Sequence, residues 1–285
     1  MIYTVNKIEE VPSLKFDDLI IGFFDGLHTG HQKLFNQANG KRVVLTFDFN
    51  KSNAKKLYSL QDKINIIQNN YDLIDIVILN LNKLNMTSQD FINLFLKKWN
   101  FKKIIVGEDF KFGSNQQNVE LLKKYFDVEV IQRDLNNSVS TSKIKNEIVI
   151  GNIEDANKYL LQPYYYEDKV IKNTQQARLL GFPTANFLVD DSRTIPGDAI
   201  YITRTLFNQK YYPSITFIGI PKYKNANQLK HFETHLLDYD GPEFYGQNIK
   251  VEFFKKIDDV KKYNNVDDLI AGINNQIRMV REYFK

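Results

Sequence analysis

Residues 18–31 read DLIIGFFDGLHTGH. The opening is an apolar, β-branched run of strand length, and from about His31 the chain takes up a helical pattern, HQKLFNQA. The turn between them carries glycines at 22, 26 and 30 and two of the chain's four histidines, His28 and His31. A strand entering a helix through a glycine-rich turn is half of a βαβ crossover. In an open parallel sheet such a turn lies at the carboxyl end of the strand, where ligands bind.

The same alternation continues outward. RVVLTF (42–47), LIDIVILNL (73–81), KKIIVG (102–107) and VEVIQ (128–132) are further strand-like runs. LQDKINIIQNN, SQDFINLFLKKW and NVELLKKYF separate them as helical segments. Near-continuous apolar strands alternating with helices predict a doubly wound α/β fold around a parallel sheet. Two more helical stretches, TSKIKNEIVI and IEDANKYLLQ, end at Pro163. From Tyr164 to about Phe254 the texture changes to short alternating runs broken by Gly, Pro, Asn and Asp: AIYITRTLF, YYPSITFIG, KHFETHLLDY and NIKVEFF. These predict antiparallel strands of a small sheet or barrel. NVDDLIAGINNQIRMVREYF closes the chain as a helix, capped by Asn265 or Asp267, with Leu269, Ile273 and Ile277 as its apolar stripe. The division is expected near residue 162, giving domains 1–162 and 163–285.

The chain has 285 residues, 43% hydrophobic and 25% charged, enough for two packed cores and unlike a disordered composition. It contains no Cys, which excludes disulfides, thiolate metal sites and cysteine nucleophiles. The start, MIYTVNKIEEVPSLKF, does not read as a signal peptide, and no stretch approaches the roughly 18 apolar residues of a membrane span. A cytoplasmic location is expected, with no membrane or nucleic-acid partner. The net charge of +4 is spread thinly, and suits a phosphorylated small molecule as well as anything larger. Nothing in the sequence sets the oligomeric state.

The turn 22–31 has three local readings. Glycines let the backbone approach a ligand closely, and a helix N-terminus aims N–H groups at it, which favours phosphate. Two histidines there also have ring N–H groups to offer a developing anionic oxygen. Alternatively, HxxH supplies half of a zinc site, its other ligands being distant carboxylates, or the turn is structural. A second cluster, His231-Phe-Glu233-Thr-His235, is not the helical HExxH pattern. Read as a strand, it puts His231, Glu233 and His235 on one face and the apolar side chains on the other. That polar face is either solvent-exposed surface or an active site.

Four segments, in order, resemble the nucleotidylyltransferases that make FAD. GFFDGLHTGH matches G-x-FDG-x-H-x-GH; LTFDFNKS stands where TFEPHP is usual; VGEDFKFG (106–113) matches GxDFxFG; VSTSKIK (139–145) resembles SSTxIR. PTAN (183–186) followed by ETHLLDY and YG is similar to riboflavin kinase. Together they make the chain resemble the bacterial bifunctional riboflavin kinase/FAD synthetase family over nearly its whole length. The resemblance implies ATP, riboflavin and FMN as substrates and Mg²⁺ as cofactor. In the first half it implies that Gly22, Asp25, Gly26, His28 and His31 contact ATP, with both histidines stabilising charge at the α-phosphate. Ser140, Thr141, Ser142 and Lys145 would hold the pyrophosphate, and Asp109 and Phe110 would lie beside nucleotide or flavin. Apart from the resemblance, Asp109 also reads as a helix cap or turn aspartate. In the second half Gly181, Thr184 and Asn186 would bind ATP, Thr184 and Asn186 would hold Mg²⁺, and Glu233 would be the general base.

This chain departs from the family pattern at several positions. Lys145 replaces Arg, Asn173 and Ala177 stand at usual glycines, Ala199 replaces Gly, and Asp258 replaces Arg. Lys supplies charge but not a bidentate fork. The departures bear on kinase rate and flavin affinity more than on fold. They leave open an FAD synthetase with a degenerate kinase domain, or a flavin-binding protein without catalysis.

Overall fold

A computed structural model describes residues 1–49, 55–132, 139–172, 180–220 and 230–285. Packing divides the chain into two compact units, Met1–Thr141 and Ser142–Lys285.

The first unit is built on a parallel sheet. Its strands are β1 (Ile2–Val5), β2 (Asp18–Ile21), β3 (Arg42–Asp48), β4 (Ile74–Asn80), β5 (Lys103–Gly107) and, beyond a short hairpin of β6 (Lys111–Phe112) and β7 (Gln117–Asn118), β8 (Val128–Ile131). Their order is β1-β4-β3-β2-β5-β8, parallel throughout. From β2 the chain winds outward through β3 to β4, then returns to the other side of β2 with β5. That reversal leaves a crevice between the carboxyl ends of β2 and β5, the topological switch point of such sheets. The connecting helices are α1 (Thr29–Gln37), α2 (Leu60–Asn70), α3 (Ser88–Leu94) and α4 (Val119–Lys123). Capping boxes start two of them, Ser59 with Asp62 on α2 and Thr87 with Asp90 on α3.

Strand alternation sends Leu19, Ile21, Val43, Leu45, Val77, Leu79, Ile104 and Val106 into one core with Phe91, Phe95 and Trp99. Ile20, Val44, Ile76, Ile78 and Ile105 are buried too and point to the opposite face. Burial on both faces is why these strands read as continuous apolar runs.

Several elements end earlier than the sequence expectation, among them α3 at Leu94 and α4 at Lys123, and two boundaries at the turn 22–31 differ as well. β2 stops at Ile21 rather than running to Phe24. Phe24 has φ of 51°, and its ring folds back over Gly22, where a Cβ would stand 2.7 Å from it. α1 begins at Thr29 rather than near His31, because His28 is its N-cap and its carbonyl accepts from His31 N at 2.7 Å and Gln32 N at 3.0 Å. β1, a four-residue strand on the edge beside β4, was not legible in the pattern.

α5 (Thr141–Ile150) begins with the last residue of the first unit, and the rest of it and α6 (Ile153–Asn157) belong to the second. Asn157 joins α6 to the strands that follow, donating to Phe253 O at 2.9 Å and accepting from Tyr164 N at 2.8 Å. Those strands are β9 (Tyr165–Lys169), β10 (Ala185–Phe187), β11 (Ala199–Phe207), β12 (Lys210–Gly219), β13 (His231–Leu236) and β14 (Asn248–Asp259). They pair antiparallel in the order β10-β13-β12-β11-β14-β9. One bridge, Ile171 N to Asn186 O at 2.8 Å, brings the two ends together, so the sheet is a nearly closed barrel. Register shifts at Ile200/Tyr201 and Ile202/Thr203 curve the β11–β14 pair. The closing helix α7 (Val266–Tyr283), capped by Asn265, lays Val280 against Ile202, Ile215 and Leu237.

The barrel interior is aromatic at one level, where Phe232 packs on Tyr166, Phe187 and Phe253. At another level it is a chain of buried hydroxyls: Thr205–Ser214–Thr203–Thr216–Thr234, each link 2.8 to 2.9 Å. In the first unit one side chain is equally unusual for its place. Lys63 on α2 is 8% exposed and donates to Phe23 O at 3.0 Å, Thr46 Oγ1 at 2.9 Å and Phe47 O at 3.2 Å. It ties the turn after β2 to the end of β3. Burial pushes its pKa down to about 8, partly offset by Asp25 and Asp48.

Two expected outcomes follow from these buried polar groups. Thr216→Val leaves the hydroxyls of Thr203 and Thr234 each short of a partner, and should destabilise the barrel by about 1–3 kcal/mol, read as faster hydrogen exchange in the β11–β12 ladder. For Lys63, the folded state binds the proton more weakly than the unfolded chain. The penalty of burying the charge is therefore full below pH 8 and is relieved between about pH 8 and 10.5. Urea unfolding followed by the single tryptophan, Trp99, should show the wild type gaining on Lys63→Met by about 1.4 kcal/mol per pH unit in that window.

Candidate functional site

The first site lies at the switch point. Within the turn 22–31, Phe24, Gly26 and Leu27 all have positive φ, at 51°, 97° and 44°. Two of these are bulky residues in a conformation that L side chains avoid, and such strain persists only where the surroundings over-determine it. Here Phe24 and Leu27 are each 1% exposed, and Phe24 meets both Phe35 and His31 edge-on. The turn is held by its own core.

That turn delivers His28 and His31 to the start of α1, their rings stacked with centroids 3.8 Å apart. Gly30 makes room for this. A Cβ there would lie 3.1 Å from the His28 ring and 3.5 Å from Val139. Asp25 Oδ1 accepts from Leu57 N at 2.9 Å, so this carboxylate pins the segment leading to α2. Asp25 O accepts from Thr141 Oγ1 at 3.1 Å. Ser140 and Thr141 are thus brought to the same turn, with Thr141 the first residue of α5. Ser142 and Lys145 follow on α5 itself, Ser142 exposed and Lys145 half-buried.

On the other side of the crevice, Gly107–Phe110 is a turn closed by Phe110 N to Gly107 O at 3.1 Å, with Asp109 exposed at its tip. Asp109 is a turn residue at the carboxyl end of β5 and caps no helix. Phe110 stacks on Phe112, centroids 5.7 Å apart, and packs on the first core. Phe23, in the variable position of the FDG signature, is 52% exposed with its ring 4.9 Å from that of Phe47. Lys63 was missed by sequence reading because a lysine on an amphipathic helix ordinarily lies on the solvated face. Among the described residues, no group of three His, Asp or Glu side chains is placed to hold a metal.

The second site lies on the barrel wall. β13 has the expected alternation, with Phe232, Thr234 and Leu236 buried and His231, Glu233 and His235 on the other face. β10 pairs beside it, and Glu233 stands opposite Asn186 in register. Glu233 Oε2 accepts from Thr184 Oγ1 at 3.4 Å, and Asn186 Nδ2 donates to the same hydroxyl at 3.2 Å. Glu233 Oε1 pairs with His231 Nδ1 at 2.7 Å. His235 Nδ1 donates to Pro183 O at 2.7 Å and its ring meets Phe182 edge-on, which anchors the loop that carries Thr184. Burial pushes the pKa of His235 down. It therefore favours the neutral ring with its proton on Nδ1. Gly181, with φ of 90°, has nothing within 4 Å of a Cβ position; backbone conformation rather than space requires glycine there.

An open cleft flanks Thr184, lined by Val170, Pro183, Leu236, Tyr239 and Phe244. Tyr239 ends the ETHLLDY motif and Phe244 precedes its YG, but sequence reading gave neither a role and ran the strand to Tyr239 rather than Leu236. The stretch after Leu236 is a tight turn: Tyr239 Oη donates to Pro242 O at 2.7 Å, and Phe244 packs on Tyr239 and Phe207. Asn173 and Ala177 lie outside the described residues. Asp258 is on β14, accepting from Lys261 at 2.6 Å and Gln276 at 3.3 Å. No helix among the described residues is long and apolar enough to cross a membrane.

Residues 17–147 match the family described as FAD synthetase, and residues 160–284 the family described as riboflavin kinase. The chain is 32% identical to the bifunctional riboflavin kinase/FMN adenylyltransferase of Mycoplasma pneumoniae, over 93% of this chain and 97% of that one. The corresponding protein of Bacillus subtilis is 27% identical over 93% and 92%. A trifunctional protein of Mycoplasmoides gallisepticum is 37% identical over 99% of this chain, which spans 42% of that relative's length. A crystal structure described as a macrolide-efflux protein from Streptococcus pneumoniae has the same fold, with a TM-score of 0.85 over 98% of each chain at 24% identity. Two family matches in tandem, and a relative aligned almost end to end, place this chain in the bifunctional riboflavin kinase/FMN adenylyltransferase family.

Proposed function

We propose that the chain makes FAD from riboflavin in two ATP-dependent steps, phosphoryl transfer at the motifs after residue 162 and adenylyl transfer at those before it. The observation that carries this reading is the presence of both constellations in one chain: the stacked histidines at a sheet switch point, and Glu233 in reach of Thr184 on a barrel wall.

In the kinase step the riboflavin 5′-hydroxyl attacks the γ-phosphorus of ATP, giving FMN and ADP. Glu233 takes the hydroxyl proton, a role open to a carboxylate held within hydrogen-bond reach. Thr184 and Asn186 are neutral oxygen donors beside it, and they suit Mg²⁺, which is usually held by few protein oxygens together with substrate phosphates. When bound, Mg²⁺ would neutralise charge on the phosphates. In the adenylyl step the FMN phosphate attacks the α-phosphorus of a second ATP and pyrophosphate leaves. No covalent enzyme intermediate is needed, so positioning and charge stabilisation carry the rate. His28 and His31 offer ring N–H groups at the start of α1, where the helix dipole also favours an anion. Ser140, Thr141, Ser142 and Lys145 are assigned to the pyrophosphate, and Asp109 and Phe110 to the nucleotide or flavin. The enzyme is placed in the cytoplasm, where ATP is supplied.

The test gives the purified full chain riboflavin, ATP and Mg²⁺, and separates flavins by HPLC. Wild type should yield FMN and FAD. Glu233→Gln should lower FMN formation by at least roughly 100-fold and leave FAD formation from supplied FMN intact. The double variant His28→Ala/His31→Ala should do the reverse. FAD formed only from supplied FMN would instead favour an adenylyltransferase with a degenerate barrel domain. No turnover of either flavin would favour a binding protein.

A further inference from the structure

The kinase reading assigns Glu233 as base and leaves its neighbour on the same strand, His231, without a task. The two side chains share the polar face of β13, two residues apart. His231 Nδ1 lies 2.7 Å from Glu233 Oε1, a short contact for a ring nitrogen and a carboxylate. Both side chains are largely buried, at 13% and 17% exposure. The other carboxylate oxygen, Oε2, faces Thr184 Oγ1. A glutamate has three side-chain torsions and loses freedom when it must aim one oxygen. Here the two oxygens are sorted by their partners, one turned to the histidine and one to the loop that carries Thr184.

We propose that His231 is the positioning residue of the phosphoryl-transfer centre, donating from Nδ1 to Oε1 of Glu233 so that Oε2 is the oxygen aimed at the riboflavin hydroxyl. The proposal rests on the assignment of Glu233 as base. In the step it supports, the 5′-oxygen forms its bond to the γ-phosphorus as the bond from that phosphorus to the β–γ bridging oxygen breaks. The hydroxyl proton passes to Oε2, ADP carries away the electron pair, and Glu233 returns its proton to solvent after release. His231 neither gains nor loses a proton. It fixes the direction in which Glu233 accepts one. The two histidines flanking Glu233 thus divide the work: His235 anchors the Pro183 loop through its backbone, and His231 orients the base.

The experiment measures steady-state riboflavin phosphorylation by the full chain for wild type, His231→Ala, His231→Asn and Glu233→Gln. FAD formation from supplied FMN is measured on the same preparations. His231→Ala should lower kcat for FMN formation roughly 10- to 100-fold with the riboflavin KM within about twofold, the scale of a misaimed catalytic group. His231→Asn, whose amide nitrogen overlies Nδ1, should recover most of it. FAD formation should not change in either. The inference is overturned if His231→Ala keeps wild-type kcat while Glu233→Gln is inactive, or if KM rises as much as kcat falls and Asn gives no rescue. Retained activity in Glu233→Gln removes the base assignment itself and this inference with it, an outcome distinct from the other two. Should His231→Ala fail to fold, Asn is compared with Gln, whose donor reaches the Nε2 position instead. A kcat higher for Asn than for Gln supports the inference, and equal values overturn it.

Discussion

Parallel strands end with backbone carbonyls that no neighbouring strand can satisfy, and the chain must supply donors where they emerge. At the carboxyl ends of β2 and β3 that donor is the ammonium of Lys63, which reaches the carbonyls of Phe23 and Phe47 and the hydroxyl of Thr46. The turn that bears His28 and His31 hangs from this junction. Lys63 fixes where it leaves the sheet, and the packing of Phe24 and Leu27 holds the positive-φ residues and stacked imidazoles beyond. A charge in a dry place is costly, and three acceptors together with the nearby Asp25 and Asp48 make it tolerable.

The barrel meets the same demand differently. Its strands satisfy one another around the wall, and the last pair of edges is joined through Ile171 and Asn186. Asn186 therefore serves twice. Its carbonyl closes the barrel, while its side chain meets Thr184 beside Glu233. The first site sits where the parallel sheet hands its backbone over to a loop, and the second where the loop carrying Thr184 enters β10 beside β13.

The two architectures were legible in the sequence because their apolar periods differ, continuous for strands covered on both faces and alternating for strands covered on one. The motif residues stand out in the sequence because glycine, histidine, proline and glutamate have few ordinary reasons to stand in those patterns. What escaped was decided by tertiary contacts. Phe24 ends β2 early by folding over Gly22, which no propensity encodes. β1 is too short to show a period. Lys63 looks like any surface lysine until α2 is laid against the sheet. His231 and Glu233 could be placed on one face from spacing alone, but their hydrogen bond depends on rotamers set by the flanking strands.

The closure of the barrel has a mechanical consequence. A cylinder laced along most of its seams by full ladders is joined along the remaining one, among the described residues, by a single backbone bridge, with Tyr166 Oη donating to Leu188 O at 3.1 Å beside it. The strand behind that bridge is β10, only three residues long, and it carries Asn186. The wall is thus thinnest where the chemistry is assigned. A displacement of β10 would carry Asn186, and Thr184 beside it, relative to Glu233 across the strand pair.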